Sequence, residues 1–216
     1  MPSFIERINS IHLDILKEVG NIGAGHAATA LSTLLNKKVD MKVPDVRIVS
    51  FDEMMELAGG PENIVASVFL RIEGEAPGSM FFVLSLNQAK HFIKLMTGLD
   101  CINNDQSTYP EIAASALQEL GNILSGSYLS SLSDFTKLNL FPSVPQLSFD
   151  MVGAVISFGL LELSQVSDFA IVIDTAIYEE DVRNESFDGH FFLIPDPSSF
   201  ETIFASLGVP IDECDN

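Results

Sequence analysis

The strongest constraint on this chain is that it repeats itself. From Asp14 it reads DILKEVGNIGAG, and from Ser115 it reads SALQELGNILSG, 101 residues later. Glu18 falls on Glu119, Gly20 on Gly121, Asn21 on Asn122, Ile22 on Ile123 and Gly25 on Gly126. Pro44 falls on Pro145 at the same spacing. Further on, residues 78–98 resemble residues 189–208 at a longer spacing, so the second half carries about ten extra residues, assigned to the acidic stretch Tyr178–Asp188. A duplicated chain of 216 residues must fold as two like halves. The expected organisation is one domain, with residues 1–100 as the first repeat and 101–216 as the second.

Periodicity assigns the same elements to each half. Asn9 or Ser10 caps a helix reaching about Asn36. A short strand at Arg47–Phe51 and a short helix at Asp52–Ala58 follow. Strands at Ile64–Ile72 and Ser79–Leu86 form a hairpin, and a helix over Asn87–Met96 closes at Gly98. The second half is expected to repeat this. It reads as a helix over Glu111–Asp134, a strand at Gln146–Phe149 and a helix or buried element at Met151–Leu163. Strands at Phe169–Tyr178 and His190–Ile194 and a helix at Ser198–Leu207 complete it. Polar Leu99–Pro110 reads as the linker, and the tail beyond Pro210 as frayed. The expected fold class is α+β (α/β-type): two α-β-α-β-β-α repeats about a pseudo-twofold, one continuous β-sheet, and two long helices side by side on one face.

Charge narrows the partners. Eleven Lys+Arg stand against thirty Asp+Glu, a net charge of −19. That disfavours an extended nucleic-acid surface or docking on an anionic membrane. With 47% apolar residues the chain can bury a substantial core. Cys101 and Cys214 make neither a disulfide framework nor a zinc site alone. No segment has the length of a signal peptide or bilayer span, so a soluble cytoplasmic protein is expected.

At about 100° per residue, Asp14, Glu18 and Asn21 share one narrow helical stripe. Leu13, Ile15, Leu16, Val19 and Ile22 fill the face expected to be buried. Ser115, Glu119 and Asn122 form the same stripe in the second half. For a lone Glu-x-x-Asn pair, an ordinary solvated surface is the default. Recurrence changes the weighing, because Asn is a poor helix former and exposed positions drift while cores persist. Lys17 has become Gln118 and His26 has become Ser127. An amide cannot act as a base, but it can accept from and donate to a water and so orient it. That suits phosphoryl transfer, where positioning supplies much of the catalysis.

These residues resemble the CheC/CheX/FliY family, phosphatases of the phosphorylated chemotaxis regulator CheY. The family motif is Asp or Ser, three residues, Glu, two residues, Asn, about twenty-two residues, then Pro. Asp14, Glu18, Asn21 and Pro44 match it, and Ser115, Glu119, Asn122 and Pro145 match it again. Two intact motifs in one chain resemble the CheC-type members. The resemblance implies that Asn21 and Asn122 position the attacking water and that Glu18 and Glu119 dock the regulator's active-site Lys. Asp14 and Ser115 support the stripe, and Pro44 and Pro145 shape the chain beside it. It implies no intrinsic cofactor or metal, with Mg²⁺ supplied by the regulator. It also implies a second partner, the receptor deamidase CheD, on the short second-half helix near Asp150, and a monomeric protein. A buried core helix is an equal reading of that segment.

Rival readings are a noncatalytic adaptor that sequesters CheD or docks phospho-CheY, and a flagellar-switch component. Gly20, Gly23 and Gly25 run G-x-x-G-x-G with no preceding strand, so close helix packing is favoured over a nucleotide loop. His12, His26, His91 and His190 share no ligand spacing. The acidic run Glu179–Asp181 reads as a solvated hairpin.

Overall fold

A computed structural model describes residues 8–98, 111–162, 169–179 and 186–209. The expected linker, the tip of the acidic hairpin, the C-terminal tail and both cysteines lie outside the described residues.

The first half runs α1 (Ser10–Leu35), β1 (Val39–Lys42), β2 (Val46–Ser50), α2 (Phe51–Leu57), β3 (Ile64–Gly74), β4 (Gly78–Ser85) and α3 (Leu86–Thr97). The second runs α4 (Glu111–Thr136), β5 (Leu140–Pro142), β6 (Gln146–Met151), α5 (Val152–Glu162), β7 (Phe169–Glu179), β8 (Ser186–Pro195) and α6 (Pro197–Ser206). Each repeat is thus α-β-β-α-β-β-α and not α-β-α-β-β-α. The strands β1 and β5, four and three residues long, are too short for alternation to reveal. Asn9 caps α1, Ser50 caps α2 and Ser85 caps α3, each in a reciprocal capping box. Gly98 closes α3 at φ 72°, a left-handed conformation that favours glycine.

All eight strands form one antiparallel sheet, with β7, β8, β4 and β3 in the middle. Both β1 and β2 pair with β7 of the other half, and both β5 and β6 pair with β3. Each half therefore completes the other's hairpin. The registers locate the pseudo-twofold. Val46 pairs with Ile173 and Leu147 with Val68; those pair with Phe191 and Phe82, which face each other across β4 and β8. The Phe82 and Phe191 rings stack with centroids 4.6 Å apart at the axis. Equivalent residues are thus Val46 and Leu147, Val68 and Ile173, and Phe82 and Phe191. The spacing grows in two steps, so the extra residues of the second half are split between the segment before β7 and the β7–β8 hairpin.

The sheet buries both faces. Beneath α1, α4, α3 and α6 lies the larger core, with Leu16, Leu31, Leu117, Leu120, Phe92 and Phe204 among its members. The opposite face packs α2 and α5 through Met54, Val152, Val155 and Ile156. Burying each such side chain stabilises by roughly 1.5–3 kcal/mol before entropy is counted. The two long helices lie side by side, as expected. They meet tightly at Gly23, where a Cβ would stand 2.9 Å from Tyr128 Cδ1 and 3.0 Å from its Cα.

Candidate functional site

Both stripes lie on the outer side of the helix pair. Leu16 and Val19 point into the core, while Leu13, Ile15 and Ile22 are half-buried at its margins. Asp14 and Glu18 are exposed, as are Ser115, Glu119 and Asn122. Neither Glu18 nor Glu119 has an ion pair among the described residues. Both are free to meet a cation brought by another molecule.

The two amides differ, and here one expectation needs correction. Asn122 faces solvent with no hydrogen-bond partner among the described residues. Asn21 is only half-buried, but its carboxamide is engaged. Its Oδ1 accepts from the Val43 backbone N–H at 2.9 Å. Its Nδ2 donates to the Lys17 carbonyl at 3.0 Å and to the Val43 carbonyl at 3.4 Å. The cause lies in the chain between β1 and β2. Val43 is 2% exposed and packs on Gly20, where a Cβ would stand 3.4 Å from a Val43 methyl. Its counterpart Val144 is 83% exposed. There the chain is drawn to β3 instead: Ser143 N–H donates to the Arg71 carbonyl at 2.8 Å, and Arg71 N–H donates to Ser143 Oγ at 2.9 Å. Pro44 and Pro145 stand just before β2 and β6, where a fixed φ shapes entry into the strand.

Behind these prolines, on the α2 and α5 face, the halves diverge again. Beside Pro44, Arg47 of the first half donates to Asp174 Oδ2 of the second at 2.7 Å, and His190 Nδ1 meets Asp174 Oδ1 at 2.9 Å. They line a cavity of about 240 Å³ with Pro44 and Thr175. Burial pushes the Asp174 carboxyl up, but the His190 hydrogen bond and the Arg47 charge outweigh it and hold the group below its ordinary range. The equivalent positions beside Pro145 are Ser148 of the second half and Phe69 and Phe81 of the first, and the two rings pack 4.9 Å apart. They line an apolar cleft of about 350 Å³ with Leu147, Ala154, Val155 and Asp150. Asp150 itself sits in β6, two residues before α5, and accepts from Met151 N–H at 2.7 Å. It is therefore a strand residue beside the cleft, not the first residue of the helix.

The Asn21 tether and the ionic cluster escaped sequence reasoning, because the first depends on the path of the chain between β1 and β2 and the second on strands exchanged between halves. His12, by contrast, has a structural task. Its Nδ1 accepts from Asn9 N–H and its Nε2 reaches the Val209 carbonyl, each at 3.0 Å. Among the described residues no group of three or more His, Cys, Asp or Glu could hold a metal ion, and no helix is long and apolar enough to cross a membrane.

The same architecture is found in two solved structures. The X-ray structure of Thermotoga maritima FliY superposes with a TM-score of 0.74 at 20% identity, covering 93% of this chain and 98% of that one. The middle domain of FliM from H. pylori shares the fold at a TM-score of 0.66 and 12% identity, covering 92% and 99%. Sequence comparison shows the family. The CheC-like family model matches residues 11–48 and 112–149, once in each half. The chain is 49% identical to the CheY-P phosphatase CheC of Bacillus subtilis, over 97% of this chain and 100% of that protein. It is 34% identical to the flagellar motor switch phosphatase FliY of the same organism, over 66% of this chain and 37% of that protein. The protein belongs to the CheC-like family.

Proposed function

We propose that this protein hydrolyses the aspartyl phosphate of the chemotaxis response regulator CheY. The observation that carries the reading is the outward Glu-x-x-Asn stripe on each of two paired helices, in a chain nearly half identical over its whole length to a CheY-P phosphatase. Asn122, and Asn21 once its tether to Val43 is released, orient a water in line with the phosphorus. Glu119 and Glu18 meet the regulator's active-site Lys. The water oxygen bonds to phosphorus as the bond to the aspartyl oxygen breaks, giving the aspartate carboxylate and dihydrogen phosphate. Mg²⁺ belongs to the regulator. This chain supplies position and no base, in keeping with the chemistry of phosphoryl transfer.

The second partner proposed is the deamidase CheD. The apolar cleft at Phe69, Phe81 and Val155, edged by Asp150, supports a docking site there, and its pseudo-equivalent is occupied by the Arg47–Asp174–His190 cluster. Action as a monomer in the cytoplasm fits a regulator that diffuses between receptor and motor. The rival readings, an adaptor or a switch component, require no turnover. Decay of purified phospho-CheY with this protein separates them: an unchanged decay rate at stoichiometric protein would remove the phosphatase reading.

A further inference from the structure

Resting on the phosphatase reading, the geometry points to a regulator-docking footprint longer than the Glu–Asn pair. We propose that Ile11 and Gly25 in the first half, and Ile112 and Gly126 in the second, are its two ends.

The argument begins with what the halves have kept. Ten residues of α1 are exposed, and three of them recur unchanged in α4: Ile11, Glu18 and Gly25. Among the half-buried positions Asn21, Ile22 and Ser32 recur as well, and of these Asn21 belongs to the Glu-x-x-Asn motif. The other exposed positions have changed, as in Ser10 to Glu111, Thr33 to Asp134 and Leu34 to Phe135. At about 100° per residue the three exposed identities and Asn21 fall within a sector of roughly 80°. Asp14 lies inside the same sector, with Ser115 as its counterpart.

Neither end of the stripe serves the fold. Ile11 is 57% exposed and Ile112 50% exposed, so each leaves half its apolar surface in water. A single exposed isoleucine is unremarked on most proteins, but the same one at both equivalent positions is not explained by packing. Ile11 is also held firmly. Asn9 Oδ1 accepts from its N–H at 3.0 Å, and the neighbouring His12 bonds both the cap and the chain after α6. Its display is therefore not the fraying of a helix end.

The glycines make the opposite case. Gly20, Gly23 and Gly121 each abut another element, but a Cβ at Gly25 or Gly126 would meet nothing within 4 Å. Helix-interior glycine weakens a helix relative to alanine. Nothing inside this protein requires it, and a partner approaching the helix backbone does. From Ile11 to Gly25 the stripe is about 21 Å long. A standard interface of about 800 Å² per partner is roughly 28 Å across, so one docked regulator domain spans it. Isoleucine then meets an apolar patch of the regulator, and glycine admits its backbone.

The test reads the second site alone in an Asn21→Ala background, with Ile112→Ser, Ile112→Leu and Gly126→Leu added singly. Phospho-CheY decay gives KM and kcat, titration with beryllofluoride-loaded CheY reports docking without turnover, and thermal melting reports the fold. Expected are KM and the dissociation constant raised about tenfold by Ile112→Ser and by Gly126→Leu, with kcat held and the melting temperature not lowered. Ile112→Leu should keep wild-type affinity within about twofold. Unchanged KM and binding in both disruptive variants overturns the footprint. So does a shift in oligomeric mass with unchanged KM, which would assign the stripe to a second copy of this chain. If CheY binds but the wild type never accelerates decay, the phosphatase reading fails while the footprint is still judged by the titration.

Discussion

Asn21 and Val43 hold each other across the gap between α1 and the sheet, with the side-chain oxygen accepting at 2.9 Å and the side-chain nitrogen donating back at 3.4 Å. Asn122 and Val144 are not joined in this way. One carboxamide is spent on its own protein and the other is free for a water. The two substitutions should therefore separate. Asn122→Ala should lower turnover at its site about a hundredfold and remove most of the total, with no loss of melting temperature. Asn21→Ala should remove the smaller share and destabilise the fold by about 1–3 kcal/mol, because the buried Val43 N–H loses its acceptor. Equal kinetic loss with equal melting temperatures would contradict this division.

Glycines on one helix should respond with opposite signs. Gly23→Ala forces a methyl to within 3.0 Å of the Tyr128 backbone, which has no flexible end to move aside. Separating α1 from α4 should cost about 1–3 kcal/mol. Gly25→Ala meets open space and should stabilise by up to about 1 kcal/mol. Urea denaturation of both variants checks the sign.

Alkaline stability should carry the mark of Tyr128. Burial raises its hydroxyl from the ordinary value of 10 to about 12, against the opposing hydrogen bond with Thr175. The folded protein keeps that proton where the unfolded chain has lost it. The associated stability is whole below pH 10 and declines as pH rises from 10 to about 12, by about 1.4 kcal/mol per pH unit. Tyr128→Phe should flatten that limb in denaturation measured from pH 9 to 12. A slope unchanged from wild type would assign the loss to other groups.

The proposed binding of CheD should be separable from catalysis. Ala154 is exposed within the apolar cleft on the face opposite the phosphatase stripes. Ala154→Glu places a charge there and should weaken CheD binding by at least about tenfold, because an unpaired carboxylate would be desolvated. Phospho-CheY decay without CheD should be unaffected. Calorimetric titration showing undiminished affinity would move the docking site elsewhere.

Local chemistry made much of this protein legible from its sequence. The caps at Asn9 and Gly98, the apolar runs of β3 and β4, and the doubled Glu-x-x-Asn spacing all act within a few residues, where periodicity and propensity speak directly. Strands β1 and β5 were not legible, since three or four residues acquire strand character only by pairing with a distant hairpin. The same distance hid the hold of Val43 on Asn21. Helical projection placed that side chain on the outer face, but could not know that the link between β1 and β2 would reach it. His190 looked isolated in sequence because its partners, Asp174 and Arg47, arrive from β7 and from the other half.

The crossing of β1 and β2 onto β7, and of β5 and β6 onto β3, has a bearing on ancestry. Cut at the midpoint, either fragment would carry two strands with nothing to lie against and a hairpin with a bare flank. Such a piece finds completion in a twin that trades the same parts. The present chain is then a tethered couple, and tethering freed its partners to diverge: one flank became ionic, the other greasy, and one amide was bound while its sibling stayed loose.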